Sequence, residues 1–417
     1  MTTPELLAPA GTVRNLHYAL AYGADAVYAG IPRYSLRVRE NDFDAGHLAT
    51  AIAATHDLGR RFYLTVNLLA HETKLRTFAD DLAPLLEPGQ PRPDALIMAD
   101  PGLIDLVRSR WPEMEIHLSV QANTTNSSAV KFWQRQGIRR VILSRELSLD
   151  EIASIRAACP EIELEVFVHG ALCIAYSGRC LLSGYFNHRD ANQGSCTNAC
   201  RWAYRVGQDN WVLEEANRPG DYLPIFEDDN GTYILNAKDL RAIEHVARLV
   251  ELGVDCLKIE GRTKSHYYVA RTTQVYRWAV DAAVSGQPLA AEWIEALDGL
   301  ANRGYTAGFL DRHDTAEQQN YHAGVSQHHR QQFVGEISHY DAAKQRATVT
   351  VKNRFAVGDM LELITPEGNH RFCLEQLEDQ HHQPLTVAPG SGWVVQMRLP
   401  IVLSPSAARW GLVVRCL

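Results

Sequence analysis

The feature that most constrains this chain is a pattern that repeats eight times: a short apolar run, a polar turn and an amphipathic stretch. Strands that alternate with helices of about 10–15 residues indicate parallel βαβ units. Eight such units within roughly 260 residues match a (β/α)₈ barrel of the TIM type. An open doubly wound sheet would instead carry a glycine-rich phosphate loop after its first strand. The sequence there is APAGTVRN, which lacks the G-x-G-x-x-G pattern.

Eight strands and the helices between them are predicted from this periodicity. The strands are Glu5–Ala8, Ala26–Tyr28, Arg61–Val66, Ala95–Met98, Glu115–Val120, Arg140–Leu143, Glu163–Val168 and Cys256–Ile259. The helix before the last strand is predicted at Asp239–Leu252, where apolar residues recur at helical spacing.

The interval between the seventh and eighth strands is much longer than the others. We therefore predict a barrel domain over 1–311 that carries an insertion over 170–236. Insertions that follow a barrel strand lie at the carboxyl face, where these folds do their chemistry. A polar, aperiodic linker is predicted at 312–331. Short alternating runs in 332–417 predict a small antiparallel β-barrel.

Charge and hydropathy exclude some functions. The chain has 41 basic and 49 acidic residues, a net charge of −8, which argues against indiscriminate binding to nucleic acid and makes DNA an unexpected partner. No run approaches the roughly 20 apolar residues that span a bilayer. The first residues, MTTPELLAPAG, lack the features of a signal peptide. We expect a cytoplasmic protein without a membrane partner.

Four cysteines lie close together inside the predicted insertion. Cys173, Cys180, Cys196 and Cys200 have the spacing C-x6-C-x15-C-x3-C. In a reducing compartment, clustered cysteines indicate a metal or redox site rather than disulfides. Zinc and an iron–sulfur cluster both suit thiolates. Structural zinc sites usually take each pair of ligands from a short C-x2–4-C segment. Only Cys196 and Cys200 have such a spacing, so the pattern favours a cluster over zinc. Four unrelated reduced cysteines are the alternative.

Several segments resemble one known family. They are LLAPAG, DAVYAG, VQANTTN, LSREL, FVHGALCIAYSGRC, CTNACRW and KIEGRTKS, which cover the predicted barrel. The chain resembles the collagenase-like peptidases of family U32. The resemblance implies a 4Fe–4S cluster on Cys173, Cys180, Cys196 and Cys200, with zinc as the alternative.

The C-terminal region resembles one branch of this family, whose members are implicated in prephenate-dependent 5-hydroxylation of the tRNA wobble uridine. Relatives hydroxylate a ribosomal RNA cytidine or serve oxygen-independent hydroxylation of a ubiquinone precursor. The resemblance therefore implies a tRNA uridine hydroxylase with prephenate as a small carboxylate co-substrate. Whether the chain also acts with a partner protein or as a homo-oligomer is left open by the resemblance.

Peptidase activity is the competing function. The segment His71–Leu75 reads H-E-T-K-L and lacks the second histidine of an H-E-x-x-H zinc site. No G-x-S-x-G elbow is present. Cys173 could pair with His169 as a nucleophile, but a cysteine that binds a cluster cannot also be a free nucleophile.

Polar residues that follow the strands are expected to line the barrel mouth. His169 could donate a proton or orient substrate, or it could be structural. Arg262 could bind a carboxylate or pair with Glu260, and Arg145 is the other candidate for the carboxylate. The candidate catalytic residues are His169, Glu260 and Arg262. The candidate substrate-binding residues are Tyr28, Asn67, Gln121, Arg145 and Tyr176.

Overall fold

The fold is described from a computed structural model of the chain. Besides the backbone of four short strands between 212 and 233, the described residues are 2–36, 43–87, 89–172, 238–311 and 331–417.

Eight parallel strands form a closed barrel. Each strand pairs with its neighbour along the chain, and the eighth pairs with both the first and the seventh. Leu257 lies opposite Leu6 on one side and Val166 on the other, so the sheet closes on itself. This confirms the predicted (β/α)₈ architecture. The barrel strands are Glu5–Pro9, Ala26–Gly30, Arg61–Val66, Ala95–Met98, Glu115–Leu118, Arg140–Ile142, Glu163–Ala171 and Cys256–Ile259.

Helices surround the barrel and begin at its carboxyl end. Side-chain caps fix several starts: Asp100 accepts from the Leu103 amide at 3.0 Å, and Ser148 forms a capping box with Glu151. No described helix combines the length and apolar character needed to cross a membrane. The helices are Val13–Ala21, Ala45–Asp57, Glu72–Leu86, Pro101–Arg110, Ser127–Arg135, Leu149–Ala158, Val246–Glu251, His266–Val284 and Ala291–Asp298, with 3₁₀ turns at Val120–Ala122 and Ile243–His245.

The barrel interior holds charged side chains where most such barrels hold branched apolar ones. Lys258 Nζ donates to Glu165 Oε1 at 2.7 Å, and both side chains are almost fully buried. Arg140 lies 3.4 Å from the other Glu165 oxygen and 2.7 Å from Glu5. Burial alone would raise the pKa of Glu165, but Lys258 and Arg140 hold it below its ordinary value. The interior is therefore an ion-pair network.

The helix predicted at Asp239–Leu252 is wrong in its first half. Asp239–Arg241 is a strand that runs antiparallel to the seventh barrel strand, with Asp239 opposite Ala171. The α-helix begins only at Val246. Apolar residues at 240, 243 and 246 suit a helix, but pairing with the exposed edge of a strand satisfies more backbone groups here. Tyr305–Thr306 then adds a short parallel strand beside it.

Part of the predicted insertion is described at the level of the backbone. Val212–Glu214 pairs antiparallel with Tyr222–Pro224, and Phe226–Asp228 pairs with Gly231–Tyr233. The linker predicted at 312–331 lies outside the described residues except at its last position.

An antiparallel β domain follows, as predicted. Its main sheet has eight strands, and Arg346–Val351 turns every second side chain into the domain core. The strands are Gln331–Asp341, Arg346–Val351, Phe355–Ala356, Met360–Thr365, Gly368–Cys373, Leu377–Asp379, Pro384–Leu385, Val387–Ala388, Val394–Arg398 and Leu412–Cys416, with one helix at Pro405–Trp410.

Buried polar contacts fix this domain against the barrel. Arg271 donates to Glu362 at 2.9 Å, and both side chains are almost completely buried. The Tyr22 hydroxyl donates to the Trp410 carbonyl at 2.8 Å. The ring of Tyr267 stacks on that of Phe333 with centroids 5.0 Å apart. The two domains are thus held in one arrangement rather than only tethered.

Candidate active site at the carboxyl end of the barrel

His169 lies in the last part of the seventh barrel strand and is only 1% exposed. The rings of Tyr268, Tyr276 and Tyr305 surround it, with centroids 5.7, 5.4 and 5.4 Å from the imidazole. Burial lowers the pKa of His169 to about 3, so the ring is neutral near pH 7.

The hydrogen bonds around His169 determine its tautomer. The Tyr276 hydroxyl donates its one proton to the Val168 carbonyl at 2.7 Å. At its 3.3 Å contact with His169 Nδ1, the tyrosine oxygen must therefore accept, and the proton lies on Nδ1. The other nitrogen, Nε2, then carries a lone pair, and it is buried without a hydrogen-bond partner in the structure described. A buried acceptor of this kind is unusual and suits a ligand that donates a hydrogen bond.

The seventh and eighth strands meet at a tight junction beside His169. The Glu260 amide donates to the His169 carbonyl at 2.8 Å, and the Tyr268 hydroxyl donates to the Glu260 carbonyl at 3.1 Å. Gly170 has φ +112°, and a Cβ there would lie 2.5 Å from the Glu260 carbonyl oxygen. Only glycine fits this close approach, so the junction sets the positions of His169 and Glu260 together.

Arg262 lies across the end of the second strand. Its Nη1 donates to Ser35 Oγ at 3.3 Å, and a Cβ on Gly30 would lie 2.4 Å from the same nitrogen. The pairing of Arg262 with Glu260 that the sequence suggested is not seen among the described contacts; the guanidinium reaches Ser35 instead. Arg262 is largely buried, which holds its charge at a fixed place beside the mouth.

Two further cations lie beneath the mouth. Lys258 Nζ lies 4.5 Å from the centroid of the Tyr28 ring, and the Arg145 guanidinium lies 4.0 Å from that of Phe167. Arg145 also donates to the Ala171 carbonyl at 2.7 Å. Burial raises the pKa of the Tyr28 hydroxyl, which donates to the Ile259 carbonyl at 3.0 Å. The cations and aromatic rings form one cationic pocket floor, defined here by Tyr28, Arg145, Phe167, Lys258 and Arg262.

Sequence reasoning did not assign Lys258 to this site. It is the only charged residue in the strand CLKI, and strand alternation places it on the face opposite its two apolar neighbours. In a closed barrel that face points either inward or toward the helices, and the sequence alone does not distinguish them. The ion pair with Glu165 shows that it points inward.

Another group of polar side chains lies on the far side of the mouth. Asn67 Nδ2 donates to Ser119 Oγ at 3.3 Å, and its oxygen accepts from the Leu36 amide at 3.3 Å. Gln121 belongs to the 3₁₀ turn that follows the fifth strand. In the described structure, Gln121 Oε1 and Thr124 Oγ1 are buried without a partner. Thr124 was not a candidate in the sequence, where nothing separated it from its neighbours.

The predicted metal ligands Cys173, Cys180, Cys196 and Cys200 lie outside the described residues, as does Tyr176. The seventh strand ends at Ala171, two residues before the first of these cysteines along the chain. Within the described part of the chain, histidine, cysteine and acidic side chains form no group that could hold a metal ion.

The fold and this site define an α/β-barrel protein that presents cations and buried polar atoms with free hydrogen-bonding capacity at the catalytic face of its barrel. A sequence model of peptidase family U32 matches residues 11–320, and a model of the U32 C-terminal domain matches 329–407. The chain belongs to peptidase family U32, as the sequence resemblance predicted.

Individual relatives match most of the chain. The chain is 55% identical to the tRNA hydroxylation protein P of Escherichia coli, with 96% of this chain and 94% of the relative covered. It is 50% identical to the protein of the same name from Haemophilus influenzae, over 96% and 95% of the two chains. A collagenase of Porphyromonas gingivalis is 30% identical, over 73% of each chain.

Proposed function

We propose that this protein is a tRNA hydroxylase that acts on the wobble uridine, with prephenate as co-substrate and a 4Fe–4S cluster as cofactor. The observation that carries the proposal is the 55% identity to a tRNA hydroxylation protein across 96% of the chain. That likeness includes the barrel and the antiparallel domain together. It therefore extends over the candidate active site and over the domain docked beside it.

The cationic pocket floor supports a carboxylate co-substrate. Prephenate carries two carboxylates, and a guanidinium can bind such a group through two parallel hydrogen bonds. Arg145 is half-buried, and its Nε has no partner in the described structure. Arg262 and Lys258 add positive charge on the same side. The carboxylates of Glu165 and Glu260 lie beside the same residues and balance part of that charge. Three cations against two carboxylates still favour an anion at the floor.

The unpartnered polar atoms support recognition of a pyrimidine base. A uracil ring presents one N–H donor between two carbonyl acceptors. The lone pair on His169 Nε2 can accept from such a donor, and the Gln121 amide can both accept and donate. Since His169 is neutral, it would hold the base by hydrogen bonding rather than by charge.

The cysteine set supports the cluster. Cys173, Cys180, Cys196 and Cys200 supply four thiolates, the ligand set of a 4Fe–4S cluster, within the segment that leaves the barrel at its catalytic face. Such a cluster, when bound, would supply one-electron redox chemistry. Zinc on the same cysteines is the alternative cofactor.

The test joins metal analysis with RNA analysis. The protein is purified without oxygen and assayed for iron, sulfide and zinc, both as wild type and with each of the four cysteines changed to alanine. Cys373→Ala is the matched control, because Cys373 is an exposed cysteine in the other domain. The same variants are expressed in a strain that lacks the gene, and its tRNA nucleosides are analysed by mass spectrometry.

We expect about four irons and four sulfides per chain, lost in the four variants and kept in Cys373→Ala. Hydroxylated uridine should disappear from the deletion strain and return with wild type and the control only. One zinc per chain, without iron and sulfide, would show that the cysteines bind zinc, the alternative cofactor. Unchanged tRNA together with cleavage of a collagen substrate would overturn the hydroxylase and favour a peptidase.

A further inference from the structure

A cleft of about 520 Å³ separates the first barrel helix from the antiparallel domain. The helix contributes Arg14 and His17, and the domain contributes Ser338, Thr350 and Arg409. Arg271, Glu362 and the other buried contacts described above hold the two walls at a fixed distance. The cleft is therefore a built feature of the domain arrangement rather than a gap between loosely joined units.

The lining of the cleft carries more positive than negative charge. Arg14 and Lys352 both contact the Glu336 carboxylate, Lys352 at 3.2 Å, so one acid faces two bases. Arg409 is exposed and makes no ion pair with any described residue. Its guanidinium lies 4.9 Å from the centre of the Trp410 ring, which restrains it at the rim. Of the residues that line the cleft, Arg14 and Arg409 are basic and only Glu336 is acidic, so the lining has a net positive charge.

The ring contacts show which ligand chemistry suits the cleft. His17 stacks on Trp410 with ring centroids 5.9 Å apart, and Arg409 also contacts the Trp410 ring. The indole is therefore engaged by protein groups and is poorly placed to stack on a base. The Ser338 hydroxyl donates to the Thr348 carbonyl at 3.1 Å. The groups that remain available are the guanidinium of Arg409 and the hydroxyl of Thr350, and both are typical phosphate-binding groups.

The position of the cleft connects it with the barrel mouth. Helices that follow barrel strands begin at the carboxyl face, so Arg14 in the first turn lies near that face. Gly11, three residues earlier, packs so tightly that a Cβ there would lie 1.8 Å from the Arg262 carbonyl oxygen. One end of the cleft thus begins beside the candidate active site, and the rest extends along the helix toward Trp410.

We propose that this cleft binds the phosphodiester backbone of the RNA whose base enters the barrel mouth. This inference rests on the proposed function, because it takes tRNA as the substrate. The antiparallel domain then supplies one wall of the RNA site, contributing affinity but no base recognition. An acidic protein segment is the other polymer that such a cleft could hold, and the test separates the two.

Two variants change the charge of the cleft without touching its packed core. Arg409→Glu reverses an exposed guanidinium, and Ser338→Asp adds a charge at an exposed position on the facing strand. Arg135→Glu is the matched control, because Arg135 is exposed and lies in the last turn of a helix, at the opposite end of the barrel. Thermal melting of each variant verifies that it is folded.

Binding of unmodified tRNA transcript is measured by fluorescence anisotropy at KCl concentrations from about 50 to 200 mM. Phosphate contacts weaken strongly over this range of salt. Arg409→Glu should weaken binding on the order of tenfold at low salt and reduce the slope of log K against log[salt] by about one. Ser338→Asp should act in the same direction, and Arg135→Glu should match wild type.

The outcomes separate this inference from the proposed function. If wild type binds tRNA and both cleft variants bind equally well, the cleft proposal is overturned while the hydroxylase stands. If wild type binds no tRNA, both are overturned. If a polyglutamate peptide competes with tRNA and the cleft variants lose only peptide binding, the cleft serves an acidic protein partner instead.

Discussion

The buried ion pair between Lys258 and Glu165 allows a quantitative prediction about the barrel interior. We change Lys258 to Met, which keeps the length of the side chain and removes its charge. The Glu165 carboxylate, 0% exposed and 2.7 Å from Lys258 Nζ, then loses its nearest cation. Breaking such a pair from one side costs about 3–5 kcal/mol, because the remaining charge stays buried. Arg140 at 3.4 Å still compensates part of it, so we expect about 3 kcal/mol.

The assay is urea unfolding followed by far-ultraviolet circular dichroism, with the free energy of unfolding taken at a common slope. A second change, Glu165→Gln, is made alone and in the Lys258→Met background. If the pair interacts as its geometry indicates, the double variant is more stable than the sum of the single effects by about 2 kcal/mol.

Lys344→Met is the control for this prediction. Lys344 lies 3.7 Å from Asp341 on the surface, and its side chain is 72% exposed. An exposed pair of this kind contributes about 0–1 kcal/mol, so this variant should unfold almost as wild type does. A loss below about 1 kcal/mol in Lys258→Met, or strictly additive effects in the double variant, would refute the assignment of an interacting buried pair.

Three further predictions concern the mouth. Gly170→Ala should lower the free energy of unfolding by about 2–4 kcal/mol, because the alanine would have both a positive φ and a clash with the Glu260 carbonyl. Gly286→Ala is the control: Gly286 has a positive φ but open space around it, so the loss should be about 1 kcal/mol. Urea unfolding measures both values. For His169, burial lowers the pKa in the folded state to about 3, below the ordinary histidine value of 6.5, so the unfolded state binds the proton first. The free energy of unfolding should therefore fall as the pH drops from 6.5 toward 3, by up to about 1.4 kcal/mol per pH unit. In His169→Gln this part of the pH dependence should be absent when unfolding is measured over the same pH range. Arg145→Met should raise the KM for prephenate, the proposed co-substrate, on the order of tenfold with a smaller change in kcat. Steady-state kinetics with varied prephenate measures both constants, and an unchanged KM would contradict the prediction.

The strands of the barrel could be predicted because their apolar runs are short and separated by clear helical periods. Arg61–Val66, Ala95–Met98 and Cys256–Ile259 have the predicted limits. The strand Asp239–Arg241 could not be predicted, because its conformation comes from pairing with His169–Ala171, which is far away in sequence. Local spacing has no information about such a partner.

The candidate site was predictable only in part, for a related reason. Strand ends identify which side chains reach the mouth, and the structure places His169, Arg145 and Tyr28 near it. The tautomer of His169 and the contact of Arg262 with Ser35 depend on residues from distant elements. A buried cation such as Lys258 looks like a surface residue until its carboxylate partner on another strand is known.

The pairing of Asp239–Arg241 with the seventh strand has a consequence for how the protein matures. Ala171 and Asp239 are opposite each other in that pairing, so the cysteine-bearing segment leaves and rejoins the barrel at one hydrogen-bonded neck. The entropy cost of closing a loop grows only slowly with its length, so the barrel tolerates a long segment between these two paired ends. The barrel can therefore complete its sheet before any cofactor binds to the cysteines, and assembly of the proposed cluster would be a late step on a scaffold that is already folded.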